Sequence, residues 1–334
     1  MAEAEIQKWN DIKADFKDGL LLGNGASMAV HKEFNYGSLF EAAQERGHLT
    51  PQVAAIFDAF KVNDFELVLR SLWQAKVVNE KLGERVTKVV EAYHEVRTAL
   101  IATVRDVHIS HEDALPHLEP IYTFMHQFKT VVSLNYDLLV YWALMQSHGE
   151  LGIWIKDCFG KGGAFADDWE ARREPYYADG TTLVFYPHGN LVLARNFDQS
   201  ERKITTKGFQ DLLGQILAEW ENEEAVPLFV CDGTSDHKVK SIAGSSYLQT
   251  VYREVLPKMG QSLTIYGWAI ADQEEHILQK LKQARPHRIA VSVFQKEEAY
   301  MERVRNKLRG AGLPVPVFFD SASPGCWNNP DVTQ

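Results

Sequence analysis

The chain has 334 residues, 45% of them hydrophobic and 24% charged, with a formal net charge of −10 at pH 7. It is long enough to bury a large core in one large domain or two smaller ones, and its composition is that of an ordinary globular protein. The acidic balance argues against a general nucleic-acid-binding surface, and no apolar run approaches the roughly 18–20 residues of a membrane span.

Cys158, Cys231 and Cys326 lie far apart, with no Cys-x-x-Cys pair and no histidine at zinc-finger spacing. Free thiols are expected, not a zinc site or a disulfide framework. The first residues, MAEAEIQKWNDIKADFKDG, are polar and acidic and resemble neither a secretory signal nor a transit peptide, so a cytoplasmic protein is expected.

Residues 4–18 place Ile6, Trp9, Ile12 and Phe16 at helical spacing and predict a short amphipathic helix. Three consecutive leucines in Gly-Leu-Leu-Leu-Gly-Asn-Gly-Ala-Ser (19–27) predict a buried strand. Gly23 and Gly25 then permit a tight turn and a close backbone approach, and Ala26 and Ser27 lead into a helix whose first N–H groups would face an anion. Phe34, Tyr36, Leu39 and Phe40 are expected in the core or lining a pocket. From 51 to 128 apolar residues recur at three and four with no strand signal, which predicts a helical insertion. Pro116 and Pro120 mark the start of its last helix, about 118–128.

KTVVSL (129–134) reads as a second buried strand, followed by Asn135-Tyr136-Asp137 and a helix. Residues 150–180 read as a long loop of the kind that lids a pocket. TLVFY (182–186) is a third strand, and Pro187-His188-Gly189-Asn190 with the following LVLAR suggests a hairpin. Beyond a polar linker (196–207), helix and strand alternate: helix 208–222, strand 226–230, helical text over 236–259, strand 263–266, helix 273–284, strand 288–294, helix 296–310 and a last strand over 314–318. This alternation predicts an α/β fold with a parallel sheet covered by helices on both faces.

Ligands of such sheets bind beyond the carboxyl ends of the strands, so the residues just after strands carry the functional information. Asn135 and Asp137 have two readings. They are favoured helix caps, and they are also polar groups placed so that Asn135 bonds a ligand hydroxyl or water while Asp137 fixes the local backbone or contacts a carboxamide. His188, held between Pro187 and Gly189, is either a hairpin residue bonded to a carbonyl or a general base near neutral pH. Gly267 and Asp272 bracket a loop before a helix containing His276, with Asp272 read as a cap or as facing a ribose. Asp232-Gly233-Thr234-Ser235 reads as a turn with an N-cap.

Together Gly23-Asn24-Gly25-Ala26-Ser27, Asn135-Tyr136-Asp137, His188-Gly189 and Gly267…Asp272…His276-Ile277 resemble the sirtuin-like superfamily, in particular bacterial sirtuin-like NAD-consuming proteins of anti-phage defence. The resemblance spans about residues 19–320 and implies one sirtuin-like, Rossmann-type domain over 1–334 with the helical insertion 51–128 inside it. It implies that Gly23, Gly25, Ala26 and Ser27 contact the NAD diphosphate and that Asn135 orients the nicotinamide ribose and the attacking water. His188 would be the catalytic base, Asp137 would help hold the nicotinamide, and Gly267 and Asp272 would belong to the nucleotide site.

Departures from the family pattern narrow the reading. Three scattered cysteines cannot form the sirtuin zinc module, and Met28–Phe34 reads MAVHKEF where deacylases carry an Ile-Pro-Asp-Phe-Arg type loop, so acyl-lysine deacylation is not expected. Ala269 stands where a serine is common, removing one ligand hydrogen bond. A dehydrogenase fits worse, because Met28 occupies the third position of Gly-x-Gly-x-x-Gly.

The expected function is hydrolysis of NAD, as substrate, to nicotinamide and ADP-ribose, without zinc. Its expected regulators are an activator or effector protein and assembly into a homo-oligomer, and no membrane partner is foreseen. A non-catalytic NAD or ADP-ribose sensor and an ADP-ribosyltransferase are the alternatives.

Overall fold

The computed structural model describes residues 6–35, 37–146, 155–173, 181–196, 198–205, 211–222, 225–230 and 233–331. Tyr36, Cys231 and Asp232, and the parts of the 150–180 loop before 155 and from 174 to 180, lie outside the described residues.

The chain enters through a two-residue strand β1 (Ile6–Gln7) and a helical turn α1 (Trp9–Ile12). The amphipathic helix expected over 4–18 is therefore much shorter, because Ile6 and Gln7 pair with the sheet edge. The apolar face is as expected: Trp9, Ile12 and Phe16 are buried, with Trp9 packed on Phe124, Phe128 and Phe319.

Strand β2 (Gly19–Leu22) is buried along its whole length, which a run of three leucines requires when both faces are covered. It runs through Gly23 into α2 (Asn24–Val30). Then come α3 (Leu39–Glu45), α4 (Pro51–Phe60), α5 (Phe65–Leu82), α6 (Thr87–Val107) and α7 (His111–Met125). Their ends carry ordinary signals: Thr50 caps α4 ahead of Pro51, Asp64 caps α5, and Gly83 closes α5 in the left-handed region. Ser110 caps α7 at Asp113, so that helix starts before Pro116 and Pro120 and carries both inside it. The prolines do not mark its beginning.

Strand β3 (Thr130–Ser133) follows, then α8 (Leu139–Gln146) and a short edge strand β4 (Ile155–Lys156) within the stretch expected to be loop. β5 (Thr182–Phe185) completes this half of the sheet.

The chain then leaves the sheet. β6 (Gly189–Asn196) does not form a hairpin with β5; it pairs antiparallel with β7 (Glu201–Lys203) and β8 (Ala225–Phe229) in a separate three-stranded sheet. Two expectations are corrected here. The polar 196–207 segment contains β7, and the 226–230 strand belongs to this small sheet and not to the parallel one. Helix α9 (Leu212–Glu221) lies between β7 and β8.

Helices α10 (Ser235–Ala243) and α11 (Ser246–Thr250) lead back to β9 (Ser262–Tyr266). After it come α12 (Glu275–Ala284), β10 (Arg288–Val293), α13 (Glu298–Gly310) and β11 (Val317–Asp320).

The large sheet has the order β1-β11-β10-β9-β2-β3-β5-β4, and its pairings are parallel. Without the two-residue edge strands β1 and β4, this is the 3-2-1-4-5-6 order of a doubly wound, Rossmann-like fold. The α/β expectation is correct. The connections reverse direction between β2 and β9, so the topological switch point lies between those strands.

A buried ion network ties the inserted helices to the small sheet. Arg195 on β6 bonds Glu66 on α5 at 3.1 Å and Glu201 on β7 at 3.0 Å, and its guanidinium also donates to the Gly244 carbonyl. Burial pushes the Glu66 carboxyl up and the arginine charges oppose it.

At the switch point the two loops interlock. Gly267, after β9, has φ +66°, and a Cβ there would stand 2.3 Å from the Ala26 nitrogen. Alanine would have to accept a left-handed backbone and a backbone clash together. Gly267→Ala is expected to lower stability by about 2–4 kcal/mol, read from urea unfolding, from the combined strain and overpacking. A change within 0.5 kcal/mol, the range of a neutral surface substitution, would contradict the interlock.

Candidate functional site

Three side chains from the ends of β2 and β3 meet in one buried network. Asn135 donates its amide to the Gly23 carbonyl at 3.0 Å and to Ser27 Oγ at 2.8 Å. Ser27 in turn donates to Asp137 Oδ2 at 2.5 Å, and Asp137 Oδ1 accepts the Leu139 N–H at 2.9 Å. Ser27, Asn135 and Asp137 are all buried. Both donors of Asn135 are thus committed, and its Oδ1 has no hydrogen-bond partner among the described residues. An amide held rigidly by its nitrogen leaves an acceptor to orient a hydroxyl or a water.

Two residues brace this loop from outside it. Asn190, fully buried, donates to the Asp137 carbonyl at 2.7 Å and accepts from the Val192 N–H. His108, at the end of α6, accepts the Leu138 N–H on Nε2 at 3.0 Å while Nδ1 bonds the Ile109 carbonyl. Burial holds His108 below the ordinary histidine range, opposed by the nearby Asp137 charge and the Ile109 bond.

His188 lies in the turn where the chain leaves β5, and it is buried. Its Nε2 sits 2.9 Å from Nε2 of His276, at the start of α12. His276 Nδ1 is 3.3 Å from Ser235 Oγ, which also accepts the His276 N–H at 3.0 Å. Burial first, then the Lys238 charge, pushes His188 well below the ordinary histidine range, with a smaller push from His276. Burial and Lys238 together lower His276 to about 4. Both rings are neutral near pH 7.

The glycine turn serves the fold before it serves any ligand. Gly23 N–H bonds the Tyr266 carbonyl at 2.9 Å and Gly25 N–H bonds the Gly267 carbonyl at 2.7 Å. A Cβ at Gly25 would meet Gly267 Cα at 2.8 Å. Close approach was expected toward a ligand; here it is made to the neighbouring loop. Ala26 is buried, and its carbonyl accepts from the Trp327 indole.

The sequence profile of one protein family matches residues 20–327, under the description "Domain of unknown function (DUF4917)". The chain belongs to the DUF4917 family. No curated protein matches it.

In this DUF4917 protein the sequence-chosen residues divide into those that converge and one that does not. Gly23, Gly25, Ala26, Ser27, Asn135, Asp137 and Gly267 form one connected group, and the turn that carries His188 is tied to it through Asn190 and the Asp137 carbonyl. Asp272 is the exception. Its side chain is 88% exposed and pairs with Lys307 on α13, which holds its carboxyl below the usual range. Asp137 acts as the helix cap and as the partner of Ser27, so both of its oxygens are already used.

His108, Asn190, Ser235 and His276 were missed as site residues. Asn190 and Ser235 lie in the 187–190 and 232–235 turns, which were read only as turn and cap signals, and His276 stood out through the resemblance; His108 reaches the site from an element distant in sequence, so spacing held no signal for it. Neither the 630 Å³ cleft between α12 and α13 nor the 370 Å³ cavity beside Tyr141 and Lys203 is lined by the converging group. Among the described residues no cluster of three or more His, Cys, Asp or Glu is placed to hold a metal ion. Among them, too, no helix is long and apolar enough to cross a membrane.

The lowered His276 has a consequence for stability. The unfolded chain binds a proton near pH 6.5, whereas the folded protein resists it down to about 4. Between those values the unfolded state holds more protons, so stability falls as pH falls. The stability of the wild type relative to His276→Phe is expected to decline as pH drops from about 6.5 toward 4, measured by urea unfolding, since those are the unfolded and folded titration limits. A pH-independent difference would show that His276 is not held neutral.

Proposed function

We propose that this protein hydrolyses NAD to nicotinamide and ADP-ribose at the carboxyl ends of β2, β3 and β5. The observation that carries the reading is the unpartnered Oδ1 of Asn135, fixed between Gly23 and Ser27 at the rim of a doubly wound sheet, beside the turn of His188 that Asn190 ties to Asp137. In such sheets ligands bind in the crevice at the switch point. The motif resemblance to sirtuin-like NAD-consuming proteins supplies the substrate class.

The chemistry suits these groups. The bond to a cationic pyridinium breaks to release neutral nicotinamide, so no general acid is required. Asn135 Oδ1 accepts a hydrogen bond from the attacking water or a ribose hydroxyl and fixes its approach. Water adds to the anomeric carbon, and its proton passes to the neutral His188 imidazole and on to solvent. Ser27 and Asp137 act by holding Asn135. Control by an activator protein or by assembly, and service in anti-phage defence, belong to the same proposal, because unchecked NAD loss would poison the host cell.

A second reading, a sensor that binds the nucleotide without turnover, is favoured by one feature: the Gly23 and Gly25 N–H groups and the His188 Nε2 are all engaged within the protein.

The test is chromatographic detection of nicotinamide and ADP-ribose from NAD, alone and with candidate activators. Asn135→Ala and His188→Ala are each expected to lower turnover by about 10²-fold or more, the scale of a lost positioning or acid–base group. Ser27→Ala should lower it less, because Gly23 still holds the Asn135 amide. Turnover that survives both of the first two substitutions sinks the mechanism, and calorimetric binding without turnover selects the sensor.

A further inference from the structure

Two neutral rings whose Nε2 atoms face each other at 2.9 Å share one proton, and Ser235 assigns which ring carries it. Ser235 Oγ already accepts the His276 N–H, so its hydroxyl proton is free to donate to His276 Nδ1. That leaves the His276 ring proton on Nε2. A neutral His188 facing that proton keeps its lone pair on Nε2 and its own ring proton on Nδ1. In this assignment His276 Nε2–H donates to His188 Nε2 across 2.9 Å.

The Nε2 lone pair of His188 is therefore occupied. The lone pair that a general base needs is the one His276 covers, and a base cannot accept a substrate proton at a filled site.

His276 is attached to the loop that the glycine turn grips. Residues 267–274 run from the Gly25–Gly267 contact to the start of α12. That loop carries a strained position: Ile270, a buried β-branched residue, has φ +52°. Its other anchors are the Trp268 carbonyl, which accepts from Tyr300, and the Trp268 indole, bonded to Glu274.

We propose that His276 is a latch on His188: it holds the base in an off state, and displacement of the 267–274 loop by nucleotide entering beside Gly25 withdraws His276 and exposes the His188 lone pair. The inference rests on the NAD-hydrolase reading above. Ser235 fixes the latch tautomer, and the strain at Ile270 favours the released loop. A latched base lowers apparent activity by the fraction of molecules that are unlatched, so removing the latch raises activity without creating a new contact.

Two measurements test it. The first compares NAD consumption by wild type, His276→Phe, His276→Ala and each variant combined with His188→Ala. Both single variants are expected to raise unstimulated turnover by at least about tenfold, and His188→Ala to return it to background. A structural role alone would lower turnover and not raise it, so unchanged or reduced turnover in both His276 variants, with an active wild type, overturns the latch. Raised turnover that persists without His188 refutes the base assignment itself.

The second measurement is independent of activity and needs no variant. Histidine ¹⁵N resonances of the wild type are expected to show His276 protonated on Nε2 and His188 on Nδ1. Saturation with ADP-ribose, which lacks the scissile bond, should shift His276 Nε2 as its bond to His188 breaks. A pair unchanged in the saturated protein overturns the latch while leaving the nucleotide site intact. Absence of both ADP-ribose binding and turnover in every form overturns the reading on which the latch rests.

Discussion

The contact between two glycine-bearing loops at the centre of the parallel sheet is the constraint on which the rest of the site depends. Gly23–Gly25 and Gly267 approach so closely that neither loop has room for a Cβ, and their backbones bond directly. The contact fixes the end of β2 against the end of β9, where the sheet reverses its winding. It also orients the Gly23 carbonyl to receive Asn135. A single backbone–backbone contact thus sets the separation of the strands, the amide orientation and the starting point of the loop leading to His276.

From there outward the site is built by satisfying buried polar groups. A buried donor or acceptor left unpaired costs about 1–3 kcal/mol. The cluster of Ser27, Asn135, Asp137, Asn190 and His108 meets that demand almost completely, from four separate stretches of chain. Such a network holds its members in one geometry. Against that background the free Asn135 Oδ1 stands out as the place where an external group would complete the pattern. The histidine pair is the converse case: the two facing nitrogens fill each other, and its neutrality follows from burial beside the Lys238 charge.

The inserted helices and the small antiparallel sheet are linked by Arg195, whose charge is shared by Glu66 and Glu201 inside the protein. Removing one partner of such a network leaves an uncompensated buried charge, so it fixes how the helices meet β6 more firmly than exposed pairs would. Because β6 begins directly after His188, the same link constrains the turn that presents the imidazole.

Much of this was legible in the sequence. The leucine run of β2 and the β-branched run of β3 are local effects, and each formed where side-chain burial and backbone chemistry required. The convergence of Ser27, Asn135 and Asp137 was also foreseeable, because residues that follow adjacent parallel strands must share one rim. Partner choice was not legible. β6 and β8 are buried and apolar enough to join either sheet, and only three-dimensional packing assigned them to the antiparallel one. Asp272 carries the same capping signal as Asp137, yet it faces Lys307 and solvent, because the side of a loop that points inward is set by what packs against it. Sequence alone determined the buried strands β2, β3 and β5 and the polar residues that follow them, since those preferences act over a few residues. Tertiary structure alone decided that Ser235 and His276 meet His188, since a hydrogen bond between residues 41 or 88 positions apart exists only once the chain has folded.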